Sequence, residues 1–257
     1  MANVTVQYED AHNLLGHPGR SKLIGTSERL KWTLAKQLTK DCSDCLVGKA
    51  KRMKLNKESH NQSKVPGERL MIDISSVKTQ NSNRIGKYWL LVVDKATSMK
   101  WSFFLKSKDA QVPLLTGFIK NLQEQGKNVK YIRCDNAGEN VSLQQSLDND
   151  GMNIKFEFTA RETPQQNGKV ERAFATLYGR MRAMMTAVKW DDQMKHKFWM
   201  EAAATATKLD TIMNEKGQKS PYQAFYNESP LFEKHLRIFG EVGIMTLKPG
   251  STIKSKL

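Results

Sequence analysis

Three carboxylates and four softer ligands are the residues of this chain whose types and spacing could do chemistry. Asp73 stands in Leu70-Met-Ile-Asp-Ile74, a stretch that otherwise reads as a strand, where a charge is costly unless something compensates it. Asp135 ends Lys130-Tyr-Ile-Arg-Cys-Asp135 and is followed by Asn136-Ala-Gly-Glu-Asn140, a turn that exposes it. Glu171 follows after 35 intervening residues, Asn136 to Val170, near the start of a long amphipathic helix. Three carboxylates meeting at one end of a sheet offer the hard oxygen ligands that Mg2+ prefers, and can hold two such ions ~4 Å apart. Taken singly, Asp135 reads equally as a turn cap and Glu171 as one solvated helix charge among many.

The softer set is His12-x4-His17-x24-Cys42-x2-Cys45. Two imidazoles and two thiolates are the donors Zn2+ takes in closed, four-coordinate structural sites. The set uses four of only five histidines and three cysteines, all within 34 positions. A redox role for Cys42 and Cys45 would need a neighbouring βαβ pattern, which is absent. The metal expected here is one structural Zn2+, stabilising a segment with little core of its own. On that reading Cys42→Ser should unfold the N-terminal part and leave the region from Val65 to Phe225 folded.

The elements that must position these residues follow from hydrophobic period. Arg69–Val77 alternates, with Leu70, Ile72 and Ile74 on one face and Met71, Asp73 and Ser75 on the other. Tyr88–Asp94 is a continuous apolar run, as a central strand buried on both faces should be. Trp101–Leu105, Val129–Asp135 and Ile154–Thr159 complete five strands. Helical spacing marks Asp109–Gln125, with Pro113 tolerable only in the first turn and Gly126 closing the end. A short helix is expected over Val141–Asp148. The next helix carries Val170, Phe174, Leu177, Met181, Met184 and Val188 on one face, and a further one covers Asp191–Asn214. The order β-β-β-α-β-α-β-α-α predicts an α/β fold, a mixed five-stranded sheet flanked by helices. Three parts are expected: 1–62, the zinc-binding segment with a basic linker; 63–225, the α/β core; and 226–257, a partial extension.

The 257 residues carry 41 Lys and Arg against 26 Asp and Glu, a formal charge of +15. Such an excess speaks of partners, not fold, and favours a polyanion, with nucleic acid ahead of a membrane surface. Between Lys49 and Arg69 there are seven basic residues and two acidic ones. Three cysteines are too few for a disulfide scaffold and point to a reducing, intracellular setting. The N-terminus lacks the basic and apolar regions of an export signal, and no apolar run approaches the ~18 residues of a spanning helix. No membrane partner is expected.

These motifs together resemble the integrase region of a copia-type retrotransposon polyprotein. The resemblance rests on the His-His-Cys-Cys pattern, the Asp73…Asp135…Glu171 spacing, and Thr163-Pro-Gln-Gln-Asn-Gly…Glu171-Arg172. Asp94-Lys-Ala-Thr-Ser-Met-Lys-Trp-Ser-Phe-Phe-Leu-Lys106 is similar to the turn and strand joining the family's second and third strands. It covers nearly the whole chain, from about His12 to Leu247. It implies a ribonuclease-H-like core preceded by a small helical zinc-binding domain. The implied activity is a polynucleotidyl transferase that processes element ends and joins them to target DNA by two-metal transesterification. Two Mg2+ (or Mn2+), one structural Zn2+, a homo-oligomeric state, and a nuclear or virus-like-particle location in a eukaryote are implied with it.

Position by position, the resemblance makes Asp73, Asp135 and Glu171 the catalytic, Mg2+-holding triad and His12, His17, Cys42 and Cys45 the zinc ligands. It places Asn167 against the DNA end. Lys49, Lys51, Arg52, Lys54, Lys169 and Arg172, with Arg180 and Arg182 on the same helix, are the expected phosphate contacts. Two positions depart from the family pattern: Cys134 stands where Ser is usual, and Glu162, a competitor for third ligand, stands where an aromatic is favoured. Two other readings share these residues. One is a non-catalytic DNA-binding relic or fragment of such a polyprotein, and the other is a ribonuclease H acting on RNA–DNA hybrids.

Overall fold

The computed structural model describes residues 4–35, 42–49, 63–77, 86–159 and 168–242. The chain opens with strand β1 (Val4–Gln7), helices α1 (Tyr8–Leu14) and α2 (Arg20–Arg29), strand β2 (Trp32–Ala35) and helix α3 (Ser43–Lys49). β1 and β2 pair in parallel as a two-stranded sheet that the sequence reading did not foresee. Then come β3 (Arg69–Ser76), β4 (Tyr88–Asp94), β5 (Lys100–Leu105), α4 (Gln111–Glu124), β6 (Tyr131–Asp135), α5 (Gly138–Asn149), β7 (Lys155–Thr159) and α6 (Gly168–Ala187). Helices α7 (Asp192–Lys197), α8 (Trp199–Ile212) and α9 (Pro221–Tyr226) follow. The expected single helix from Asp191 to Asn214 is therefore two. The chain breaks at Phe198, whose ring lies 5.1 Å from that of Trp190 while Trp199 turns into the core.

The five-stranded sheet runs β5-β4-β3-β6-β7, with β4 antiparallel to both its neighbours β3 and β5, and β3, β6 and β7 parallel. Because strand side chains alternate between faces, the sheet feeds two separate apolar clusters. Leu70, Ile72, Leu90, Val92, Ile132 and Cys134 pack with α4, α5 and Phe225 of α9. Met71, Trp89, Leu91 and Val93 pack with α6 and α8 on the other face. Gly126, at φ +77°, ends α4 as expected: Lys127 N–H reaches back to the Leu122 carbonyl at 2.9 Å.

The N-terminal elements do not stand apart from this core. Tyr8, Ala11, Leu15 and Leu23 belong to the same cluster as Leu177, Met181, Met184, Leu209 and Ile212. Arg29 donates to the Ile212 carbonyl at 2.8 Å and pairs with Glu233. The Asn214 amide donates to the carbonyls of Gly25 and Gln218. Helix α3 lies so close to α6 that a Cβ on Gly48 would sit 3.0 Å from the Ala183 nitrogen. A side chain there would push α3 off the helix that carries Glu171. One apolar core thus serves both parts, which revises the expectation that Cys42→Ser would leave the region from Val65 to Phe225 untouched.

Candidate active site and metal centre

The zinc-ligand set is assembled by a helix end. α1 finishes in a Schellman turn: Gly16 N–H donates to the Asn13 carbonyl at 3.1 Å, and His17 N–H to the His12 carbonyl at 2.7 Å. Gly16 has φ +71°, and a Cβ there would lie 2.8 Å from Leu209 Cδ1, so glycine is required on both counts. The reversal swings His17 back beside His12, their ring centroids 4.9 Å apart and edge to face. Cys42 precedes α3 and Cys45 lies in its first turn, with Leu46 N–H donating to the Cys42 carbonyl at 3.0 Å. The four ligand atoms all fall within 4.8 Å of one another. His12 Nε2 is 3.2 Å from Cys45 Sγ, and Cys42 Sγ is 3.4 Å from His17 Nδ1. With metal–ligand distances near 2.0–2.3 Å, a tetrahedral site has edges of about 3.5 Å, so this set fits Zn2+.

The electrostatics agree. Burial, then His17 and Lys49, lowers the His12 pKa to about 4. Burial, then Lys49, does the same to His17. Both imidazoles are therefore neutral at pH 7, the form that binds metal. Burial raises the Cys45 thiol, and Lys49 beside it opposes that shift. Natively purified protein is expected to carry about one zinc per chain. Because both folded histidine pKa values lie below the unfolded value of about 6.5, the stability they support is present above pH 6.5. It is lost as pH falls toward 4. Elemental analysis after dialysis at stepped pH should show zinc retained at pH 7 and released across that window. Zinc absent at pH 7 would contradict the assignment.

The carboxylates converge by register. β3 and β6 pair in parallel from Arg69 with Tyr131 to Met71 with Arg133. Asp73 and Asp135 each stand two residues beyond the last pair, so they leave the ladder side by side. Glu171 reaches them from the first turn of α6. Asp73 is half-buried, and its pKa is raised to about 6 by burial and by Asp135 and Glu171, against a hydrogen bond from Ile74 N–H. The charge of Asp135 and Glu171 felt by Asp73 is what a divalent ion would relieve, and carboxylate oxygens suit Mg2+. Among the described residues these oxygens are not drawn into as tight a group as the His–Cys set. Cys134, beside Asp135, is buried and held up at about 12, chiefly by that burial and then by the two aspartates, so it is no nucleophile.

The expected phosphate contacts fare unevenly. Arg172 is exposed at the mouth of the triad. Lys169 instead donates to the backbone carbonyls of Asp94 and Lys95, pinning the start of α6 to the β4–β5 turn. Arg180 is 4% exposed and pairs with Asp210 at 2.6 Å, and Lys100 pairs with the same carboxylate. Those cations hold Asp210 well below the usual carboxylate range despite its burial. Arg180 is therefore corrected from a DNA contact to a structural ion. Arg182 donates to the Gly48 carbonyl at 3.4 Å, and Lys49 lies against Gly179 and Cys45, so both serve the seam between α3 and α6. Asn167, Glu162, Lys51, Arg52 and Lys54 lie outside the described residues. Sequence reasoning missed Lys95 and Arg133: Arg133 shares Glu157 with Arg69, the last cation of the basic stretch from Lys49, and Lys95 feels the charge of both arginines. The alternation Tyr131, Arg133, Asp135 was the available signal, since it puts Arg133 on the face of Asp135.

With this geometry in hand, comparison with known proteins is informative. No family model matches the chain. Over 236 residues, 89% of the chain, it is 27% identical to the retrovirus-related Pol polyprotein from transposon TNT 1-94 of Nicotiana tabacum. It spans 17% of that polyprotein's length. Its fold is similar to a chain of the simian T-cell lymphotropic virus intasome solved with the PP2A regulatory subunit B56 gamma. There the TM-score is 0.53 and the identity 17%, covering 83% of this chain and 69% of that one. The HTLV-2 integrase catalytic core domain solved with magnesium gives a TM-score of 0.45 at 15% identity, over 63% of this chain and 97% of that one. A retrotransposon Pol polyprotein in sequence and a chain of the simian T-cell lymphotropic virus intasome in fold are thus what this chain is similar to, in agreement with the resemblance carried by its motifs.

Proposed function

We propose that this chain is an integrase-type polynucleotidyl transferase acting on DNA ends. The observation that carries this reading is the meeting of Asp73, Asp135 and Glu171 at one end of the central sheet, where Asp73 feels the charge of the other two. When bound, a pair of divalent ions would activate the attacking oxygen and stabilise the leaving oxygen of a phosphodiester. The chain's own part is to hold and aim. Asp73 presents its oxygens from the middle of β3 and Asp135 from the end of the adjacent β6, and Glu171 closes the set from α6. Arg172, Lys95 and Arg133 neutralise the phosphates on either side of the scissile bond. The His–Cys module holds α3, and through it the body of α6, in register with the sheet. Assembly of several copies on DNA belongs to this proposal, supported by the likeness in fold to a chain of a viral intasome. Among the described residues no helix is long and apolar enough to cross a membrane.

The test sets a strand-transfer assay on double-stranded ends beside cleavage of an RNA–DNA hybrid, each with Mg2+ or Mn2+. Strand transfer without hybrid cleavage supports the integrase reading, and the reverse selects ribonuclease H. DNA affinity should fall at least about tenfold between 50 and 200 mM salt, since two or more neutralised phosphates release that many counterions. A dissociation constant flat across that range would remove the polyanion reading.

A further inference from the structure

Asp135 is exposed at a strand end, where an aspartate side chain is ordinarily free to rotate, yet here one of its oxygens is held. Asn140, in the first turn of α5, donates from Nδ2 to Asp135 Oδ1 at 2.6 Å and to the Asp135 carbonyl at 3.1 Å. The amide cannot turn over easily, because its Oδ1 accepts from Gln111 Nε2 at 3.0 Å. Gln111, the first residue of α4, is fully buried, and Asn140 is 6% exposed. A flipped Asn140 would set oxygen against carboxylate on one side and amide nitrogen against amide nitrogen on the other. The chain Gln111–Asn140–Asp135 therefore runs from the buried α4–α5 layer to the mouth of the triad and has one satisfied orientation. Among the described residues Gln111 Oε1 has no hydrogen-bond partner, so this glutamine is held in the interior at a cost in unsatisfied polarity.

We propose that Asn140, backed by Gln111, is a positioning residue for Asp135: it fixes one carboxylate oxygen so that the other is aimed at a divalent cation. The inference rests on the metal-holding role proposed above for Asp135. Outer partners of a ligating carboxylate typically change metal affinity 10–100-fold, because they remove the freedom the ligand would otherwise lose on binding.

The test titrates Mn2+ alone into the full-length, zinc-loaded chain, following free Mn2+ by its electron spin resonance, with the thermal midpoint measured in parallel without Mn2+. Asn140→Leu, close in volume but without a donor, should weaken Mn2+ binding about 10–100-fold. Gln111→Met should weaken it less, since Asn140 keeps its donor and loses only its lock. Combined with Asp135→Asn, Asn140→Leu should add no further loss, because both changes act through one carboxylate. If Asp135→Asn weakens Mn2+ binding while Asn140→Leu and Gln111→Met lower only the thermal midpoint, Asn140 is a turn cap and the inference is overturned. If Asp135→Asn itself leaves Mn2+ binding unchanged, the metal-site reading fails and takes the inference with it. Should Asn140→Leu not fold, Gln111→Met, alone and with Asp135→Asn, decides by the same criteria.

Discussion

Glu171→Gln is expected to lower metal-dependent strand transfer by a factor on the order of 10²–10³ or more, the scale on which losing one preorganised electrostatic contact acts. The amide keeps the shape of the side chain and one carbonyl oxygen, but removes the negative charge that helps hold a divalent cation. Folding should hardly change. Glu171 is exposed, while its neighbour Val170 is fully buried and anchors the start of α6. Losing an acidic charge in the first turn of a helix costs roughly 0.3–1 kcal/mol. Easing the repulsion with Asp73 works the other way, so the Asp73 pKa should drop back from about 6. DNA affinity should stay close to wild type, because the phosphate contacts proposed above are Arg172, Lys95 and Arg133. The control is Glu162→Gln, which should be nearly silent. If that control abolishes activity and Glu171→Gln does not, the third ligand has been assigned to the wrong residue. If wild-type protein shows no metal-dependent activity, the catalytic reading yields to a DNA-binding relic.

Removing zinc, by chelation or by Cys42→Ser, is expected to destabilise the whole chain in one transition. An ion present at about 1,000 times its dissociation constant contributes about 4 kcal/mol. In a chain of this size each kcal/mol moves the midpoint by roughly 2–4 °C, so a loss of about 8–16 °C is expected. The unity of the transition follows from packing. Ala11, Leu15 and Leu23 share a cluster with Leu177, Leu209 and Ile212, and Gly48 rests against Ala183. When the module opens, α6 and α8 lose part of their apolar cover and cannot keep their stability unchanged. Calorimetry with and without chelator reads the outcome. Two separate transitions, the upper one unmoved by zinc removal, would show an independent module after all.

Much of this was legible in the sequence because it is local. The five strands and the long helix α6 declare themselves through period, since burial on a face repeats every second residue in a strand and at three or four in a helix. The ligand set His12, His17, Cys42 and Cys45 was legible because coordination demands particular donor types, and the sequence states types outright. Other features depended on which surfaces meet, and no periodicity encodes that. Arg180 and Arg172 sit on one helix and look alike in sequence, yet one is buried on Asp210 and the other exposed beside the triad. Lys169 looks like a phosphate contact until the β4–β5 turn presents two backbone carbonyls to it. The strand β1 is four residues long and finds its partner β2 only after two helices intervene. The sequence by itself determined the donors, the charges and the elements that carry them. Only the tertiary structure decided which cations stay exposed, that the His–Cys module and the core share one interior, and that Gln111 and Asn140 stand behind Asp135. The reason is that long-range packing sets burial, and burial decides whether a charge is a structural ion or a working one.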